Sequence, residues 1–355
     1  MAKILIKNGR VFDGEKFFFS DILTDGEIIS KIERDITDTA DFIFDAEGMT
    51  VSAGLVDIHT HLSGMSCDKF GIQGELACIP FGVTAAADAS AELGSLEIAD
   101  NFMLKTAVFA KTAAENNHLK RDFTDKILKK YGDRVAGIKL YFDTDSPDVK
   151  DINLLREACE YARELGLSLM VHSSNSPCSM KELLSSLSAG DILTHTFHGG
   201  KNTALDDGFE AVLEAKARGV IIDVGFAGHV HTDFHVLGEA ISRGVLPDVI
   251  STDITKLSAY KRGGRYGMTM CMSIARVLGM SEEDIFRSVT SSAAAALKKG
   301  NEWGRLRTLG HADIAVFKFT DEPFSLTDKA GNTVESDYGY RCMLTVADGQ
   351  VVYRY

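Results

Sequence analysis

The chain has 355 residues, and 38 Lys and Arg against 51 Asp and Glu give a formal net charge of −13. That acidic balance argues against a binder of phosphate backbones or anionic membrane surfaces, both of which need basic patches. With 45% apolar and 25% charged residues, the length suits one large α/β domain with an appendage, or two medium domains.

The first segment, Met1–Val11, is short and strand-like and is interrupted by Lys3, Lys7 and Arg10. It lacks a signal-peptide core, and no run of about 18 apolar residues suggests a membrane span. The cysteines (Cys67, Cys78, Cys159, Cys178, Cys271, Cys342) show no C-x-x-C pair, as expected of free thiols in a reducing cytoplasm. The expectations are a cytoplasmic protein with a small-molecule substrate and neither a nucleic-acid nor a membrane partner.

Residues 1–53 contain short β-type runs at Ile4–Ile6, Phe17–Phe19, Ile28-Ile29 and Phe42–Phe44, separated by turn signals such as Asp13-Gly14 and Asp25-Gly26. From 54 to 310, strand and helix signals alternate. Strands are predicted at Gly54–His59, Val83–Asp88, around Val108, and at Val135–Leu140, Ser168–Val171, Ile192–His195, Val220–Val224 and Val249–Ser251. Between them, Ile152–Leu165 has helical spacing and ends at Gly166, and Phe209–Ala217 runs helically to Gly219. Ser179–Glu182 and Ser281–Asp284 resemble helix-opening capping boxes. Ala312–Phe317, Met343–Val346 and Gln350–Tyr353 return to β character, with a turn at Asp348-Gly349. Eight strand–helix units over about 250 residues predict a (β/α)8 TIM barrel. The expected domains are a barrel at 54–310 and a small β-sandwich built from 1–53 plus 311–355. A doubly wound sheet is the alternative, but no Gly-rich phosphate loop follows the first strand.

Histidines sit where such a barrel keeps its chemistry. His59 and His61 lie two apart at the end of the first strand, so both rings point the same way. His172, His195 and Asp253 end the fifth, sixth and eighth strands, and the C-terminal strand ends are the active face of a barrel. A single strand-end histidine is usually structural. Four of them with an aspartate, each on a predicted strand end, form a nitrogen and oxygen set suited to zinc, manganese or related divalent ions. Lys139 lies in the buried-looking strand Ala136–Phe142. It either snorkels from the strand end or reacts with carbon dioxide to give a carbamate able to bridge two metals.

Asp57-Ile58-His59-Thr60-His61, Lys139, His172, His195 and Asp253, taken in order, resemble the binuclear-metal pattern of the amidohydrolase superfamily. Gly54-Leu55-Val56-Asp57, Gly82-Val83-Thr84 and the split β-sandwich extend the likeness over nearly the whole chain. The resemblance implies two divalent ions, zinc with manganese as the alternative. His59 and His61 would hold the more buried ion, and His172 and His195 the more exposed one. Lys139 would bridge them as a carbamate. Asp253 would touch the buried ion and serve as general base and then general acid for a bridging hydroxide. Asp57 would orient a histidine. Self-association into a homo-oligomer is also common for this architecture.

Within that superfamily, His172-Ser173-Ser174-Asn175 lacks the His-x-x-Glu of mononuclear deaminases. No Arg follows His61 as in dihydroorotases. The segments Thr194–Lys201 and Ser251–Asp253 look more like the deacetylase-type branch. The expected reaction is cleavage of the acyl (amide or ester) bond of a small acylated amino or hydroxy acid. A cyclic amidase and a non-catalytic scaffold are the alternatives. Tyr141, His198, His229 and Arg265 are candidate substrate contacts, with Lys201, His231 and His235 nearby in sequence. Lys261, Arg262 and Arg265 form either a carboxylate-binding loop or a solvated basic one.

Overall fold

The computed structural model describes residues 2–62, 70–96, 103–228, 230–261 and 263–355. The first five strands are β1 (Ile4–Phe12), β2 (Phe17–Asp25), β3 (Ile28–Glu33), β4 (Phe42–Asp45) and β5 (Thr50–Ala53). Then come β6 (Leu55–Thr60), β7 (Val83–Ala91) and β8 (Lys105–Lys111), followed by a short hairpin of β9 (Ala114–Glu115) and β10 (His118–Leu119). Next are β11 (Val135–Tyr141), β12 (Ser168–His172), β13 (Ile192–Thr194) and β14 (Ile221–Ile222). The last three are β15 (Ile314–Thr327), β16 (Thr333–Ala347) and β17 (Gln350–Arg354).

The parallel sheet runs β6-β7-β8-β11-β12-β13-β14, every strand beside its neighbour in sequence. The eighth predicted strand is a segment joined only by bridges. Asp223 pairs with Val249 at one edge and Thr60 with Ile254 at the other. Phe226 N–H donates to Ser251 C=O (3.1 Å), Ala227 N–H to Thr252 C=O (2.9 Å) and His61 N–H to Ile254 C=O (3.1 Å). Residues 249–254 therefore close the barrel, and Asp253 lies inside that closing segment. Helix signals in the sequence are met locally. Ile152–Leu165 is a helix whose N-cap Asp151 accepts from Asn153 N–H, and it ends on Gly166 at φ 67°. Ser179 and Glu182 form a reciprocal capping box, and Ser281 accepts from Asp284 N–H.

Both chain ends build one sheet of order β17-β16-β15-β5-β1-β2-β3, with β4 also paired to β1. It curls around its own core, because Ile29 of β3 shares a cluster with Leu344 and Val346 of β16. This fold is a TIM barrel with a β domain from the termini. The β16–β17 turn has Asp348 and Gly349 both at positive φ (46° and 70°), the geometry the right-handed strand twist favours. Phe12, Phe17 and Phe286 pack together where the sheet meets the barrel. Lys105 ties the two across that seam by pairing with Asp313 and Asp348.

One departure from the sequence reading is large. β15 and β16 run far beyond Phe317 and Met343 as a two-stranded ribbon. Its distal half has only a few apolar residues, Phe324, Leu326 and Val334, turned to the core among exposed polar ones, so its alternating signal is weak. Pro323 lies within the register shift between Asp321 and Phe324, a position that needs no ladder N–H. Ser273 on the helix Met268–Val277 accepts from Tyr340 N–H (2.9 Å) and anchors the ribbon along the barrel. The ribbon's tip, Asp328–Asn332, reaches the barrel mouth. Asp328 accepts from Phe234 N–H at 2.8 Å, capping the helix Phe234–Ser242 alongside its N-cap Asp233.

Candidate active site

The predicted ligands converge at the C-terminal end of the barrel. His59, His61 and Asp253 bring one donor atom each within 4.8 Å of one another, and His172, His195 and His231 do the same beside them. Asp253 Oδ1 lies 2.9 Å from His61 Nε2 and 3.4 Å from His59 Nε2. Lys139 Nζ is 3.3 Å from His59 Nε2. His195 and Asp253 sit at positive φ (60° and 45°), a conformation non-glycine residues seldom adopt. That backbone turn at each strand end is stored strain in the service of placing a side chain.

Hydrogen bonds fix which ring nitrogens face the centre. Thr194 Oγ1 donates to Asp223 Oδ2 (2.7 Å), so it must accept from His59 Nδ1–H (2.9 Å). His59 Nε2 is left with its lone pair toward Asp253 and Lys139. His195 Nδ1–H donates to Gly225 C=O (2.7 Å), and its Nε2 is buried with no hydrogen-bond partner. His172 Nε2 faces Asp143 at 3.6 Å, so its other nitrogen is the one offered to the centre. In His59 and His195 one nitrogen is committed to a hydrogen-bond partner and the other turns its lone pair toward the centre, as metal ligation by imidazole requires. The residues present fit a pair of divalent cations.

The electrostatics agree. Burial pushes His59 down to about 4 and His172 down to about 3, and it takes His195 well below its ordinary range. All three rings are neutral near pH 7, the form that binds metal. Burial alone would raise Asp253, but the adjacent His59 and His61 outweigh it and hold the carboxyl well below the usual range. Burial brings the Lys139 amine down to about 8, against the pull of Asp253 and Asp223.

Over this floor opens a cavity of about 870 Å³. Phe70, Val149 and Leu257 give it apolar wall, and Asp253 is its only carboxylate among the described residues. Tyr141 stacks on His172 (centroids 4.4 Å apart) and lines the cavity. Burial, then Asp143 and Asp145, push its phenol up to about 12, so it stays a donor.

Three other assignments need correction or placement. Among the described residues, Asp57 hydrogen-bonds to no imidazole ring. It accepts from Thr252 Oγ1 (2.6 Å), Thr252 N–H and His59 N–H, and so pins the closing segment next to Asp253. The residue beneath His59 is Asp223, reached through Thr194. Arg265 is not in the cavity: its guanidinium pairs with Glu322 at 2.8 Å, in a separate crevice with Phe81 and Tyr340. An exposed arginine beside a carboxylate on the ribbon has no reason to turn toward the barrel. His198 lines a smaller adjoining chamber, described below. His235 and Lys201 are exposed, and Lys261 reaches the main cavity. His229, Arg262 and Cys67 lie outside the described residues.

Sequence reasoning missed the site roles of Asp143 and Asp223; its substrate contact His229 lies outside the described residues, and His231 was a further candidate in the same loop. His231 is the ring the structure brings in, 4.1 Å from His195 and 4.8 Å from His172 between centroids. The loop after β14 has no period by which to choose among its histidines, whereas Asp223, ending a predicted strand, matches the pattern already used for Asp253. Replacing Asp223 with Asn should leave Thr194 and His59 poorly held and weaken metal retention by about 10–100-fold. Competition with a coloured chelator would measure that loss.

Comparison with known proteins is consistent with this geometry. The family model described as "Amidohydrolase family" matches residues 50–352. A deacetylase of Enterococcus faecalis is 27% identical over 370 aligned positions, covering 98% of each chain. Among solved structures, a dihydroorotase superposes with a TM-score of 0.89 at 22% identity and an adenine deaminase with 0.88 at 25%, each covering all of both chains. The chain belongs to the amidohydrolase family and is a hydrolase acting on carbon–nitrogen bonds.

Proposed function

We propose that this protein is a metal-dependent hydrolase that removes the acyl group, through an amide or ester bond, from a small amino or hydroxy acid. One observation carries the reading: two donor groups face a single cavity whose only carboxylate, among the described residues, is Asp253. Similarity to a deacetylase along 98% of both chains supports removal of an acyl group.

Bound divalent ions, zinc by the nitrogen-rich set or manganese, would supply Lewis acidity, making water acidic and polarising the acyl carbonyl. His59, His61 and Asp253 would hold one ion, and His172 and His195 the other. Lys139 lies beside the first group, and an ammonium there has no lone pair and would repel cations. Its neutral amine could add to carbon dioxide with release of one proton, and the resulting carbamate would be an anionic metal ligand. Asp253 takes a proton from the attacking water and delivers it to the departing nitrogen or oxygen, so the pair of proton transfers closes on one residue. The Tyr141 phenol, kept protonated, can donate to the substrate. We also propose that the protein works in the cytoplasm. No helix among the described residues is long and apolar enough to cross a membrane.

A second reading, opening of a cyclic amide, is favoured by the close superposition on a dihydroorotase. One assay separates the two. The protein, loaded with zinc or manganese in bicarbonate, is offered N-acetyl-D- and N-acetyl-L-amino acids, O-acetyl hydroxy acids, dihydropyrimidines and hydantoins. Acetate release on one stereochemical series is expected. Loss of ultraviolet absorbance on the cyclic amides without acetate release would install the second reading.

A further inference from the structure

We propose that Lys329, at the tip of the β15–β16 ribbon, forms with His198 and Thr232 a carboxylate-binding subsite beside the metal cavity. The assignment deepens the function above, and rests on it for taking the ligand to be the acid group of an acylated amino or hydroxy acid.

A chamber of about 350 Å³ adjoins the main cavity, and Tyr141, Val230 and His231 line both. Its unsatisfied groups are donors. His198 is 1% exposed, and its Nδ1 accepts from Gly200 N–H (3.1 Å). A backbone N–H only donates, so the neutral ring must carry its proton on Nε2. That Nε2 is buried without a partner. Thr232, 2% exposed, likewise has a buried Oγ1 with no partner. Leaving two such atoms unpaired is costly unless a ligand or water completes them.

The buried acid of the chamber is already committed. Asp143 accepts from Asn175 N–H (3.0 Å) and Asp145 N–H (2.9 Å) and faces His172. Asp233 accepts from His235 N–H, Val236 N–H and the Asn332 side chain. Lys329 lines the chamber and makes no ion pair with any described residue. Lys329 itself is exposed, and the backbone that carries it is held by Asp328, which is 6% exposed and accepts from Phe234 N–H, Asn332 N–H and Asn332 Nδ2. Asp143, Asp145 and Asp233 also line the chamber, but its two buried groups still without a partner are donors, and together with the Lys329 ammonium they match a carboxylate. Close approach is built in. A Cβ on Gly200 would collide with Ser174 C=O, and one on Gly199 with the Asp233 carboxylate. Arg265, tied to Glu322, does not compete for this role.

The test uses ligands that cannot be hydrolysed: N-methanesulfonyl-D- and L-phenylalanine and their carboxamides, titrated calorimetrically into metal-loaded protein. Wild type should bind at least one acid about tenfold or more tighter than its amide, the scale of a charge-assisted hydrogen bond. Lys329→Ala should erase most of that preference, and Lys329→Arg should keep it. A preference unchanged in Lys329→Ala overturns the subsite, as does no binding of either acid to folded wild type. In the same titrations the corresponding amines, with an aminomethyl group in place of the carboxylate, should bind more weakly than the acids; tighter binding of the amines would overturn the subsite, because it would make exposed Asp145 the recognising group. Silence in the acetate assay together with a Lys329-dependent acid preference would reject the reaction but keep the subsite.

Discussion

Lys139→Ala is expected to lower the metal content from two ions per chain to one or fewer and to cut kcat/KM by roughly 10³-fold or more. Losing a preorganised electrostatic element of a water-excluded site is felt on that scale. The effect follows from position: Lys139, within β11, is 5% exposed and reaches within 3.3 Å of His59 Nε2. The ribbon, the barrel and the other ligands do not depend on it, so the variant should fold. Metal analysis and a thermal melt would show the difference between a lost bridge and a lost fold. Carbon-13 bicarbonate adds a readout apart from turnover. A carbamate carbonyl resonance should be present in wild type and absent in the variant. A Lys139→Ala protein that keeps two metals and its activity would remove the bridging role.

Asp253→Asn should lower kcat by about 10²–10⁴-fold, the range assigned to a positioned general acid or base, while KM moves far less. The amide keeps an oxygen beside His61 but cannot take a proton from water at neutral pH. Hydrolysis has two proton transfers here and, among the described residues, one carboxylate in the cavity to make them. Asp143 and Asp223 are each buried behind a histidine and committed to hydrogen bonds. If kcat stayed within a few-fold of wild type, the proton would have to travel by another group, with His231 the nearest candidate at 3.8 Å from Asp253 Oδ2.

Much of this site was legible in the letters because the chemistry sits on regular elements. His59 and His61 point together because a strand has a period of two, and His172, His195 and Asp253 each follow a short apolar run. Helix Ile152–Leu165 was bounded by its own cap residues. What escaped has a common cause. Thr194, Asp223 and Asp143 act through partners distant in sequence, and a buried strand-end aspartate carries no mark of what it will hold. Asp57 was placed correctly but given a ring to orient, when its partners are the Thr252 side chain and two backbone amides. Arg265 was assigned by charge and proximity in sequence, and its pairing with Glu322 required the ribbon to be known first. The ribbon itself turns only Phe324, Leu326 and Val334 inward along its outer half, too few among polar neighbours to stand out as a hydrophobic period. It is also the element that brings Lys329 to the barrel mouth.

Titration of metal into stripped protein, with acetate release followed on the best substrate of the panel, tests the central claim most directly. Activity should be absent in chelator, rise with zinc or manganese, and level off at two equivalents per chain. Full activity in chelator, or a plateau reached at one equivalent, would contradict the two-ion centre built from His59, His61, Lys139, His172, His195 and Asp253.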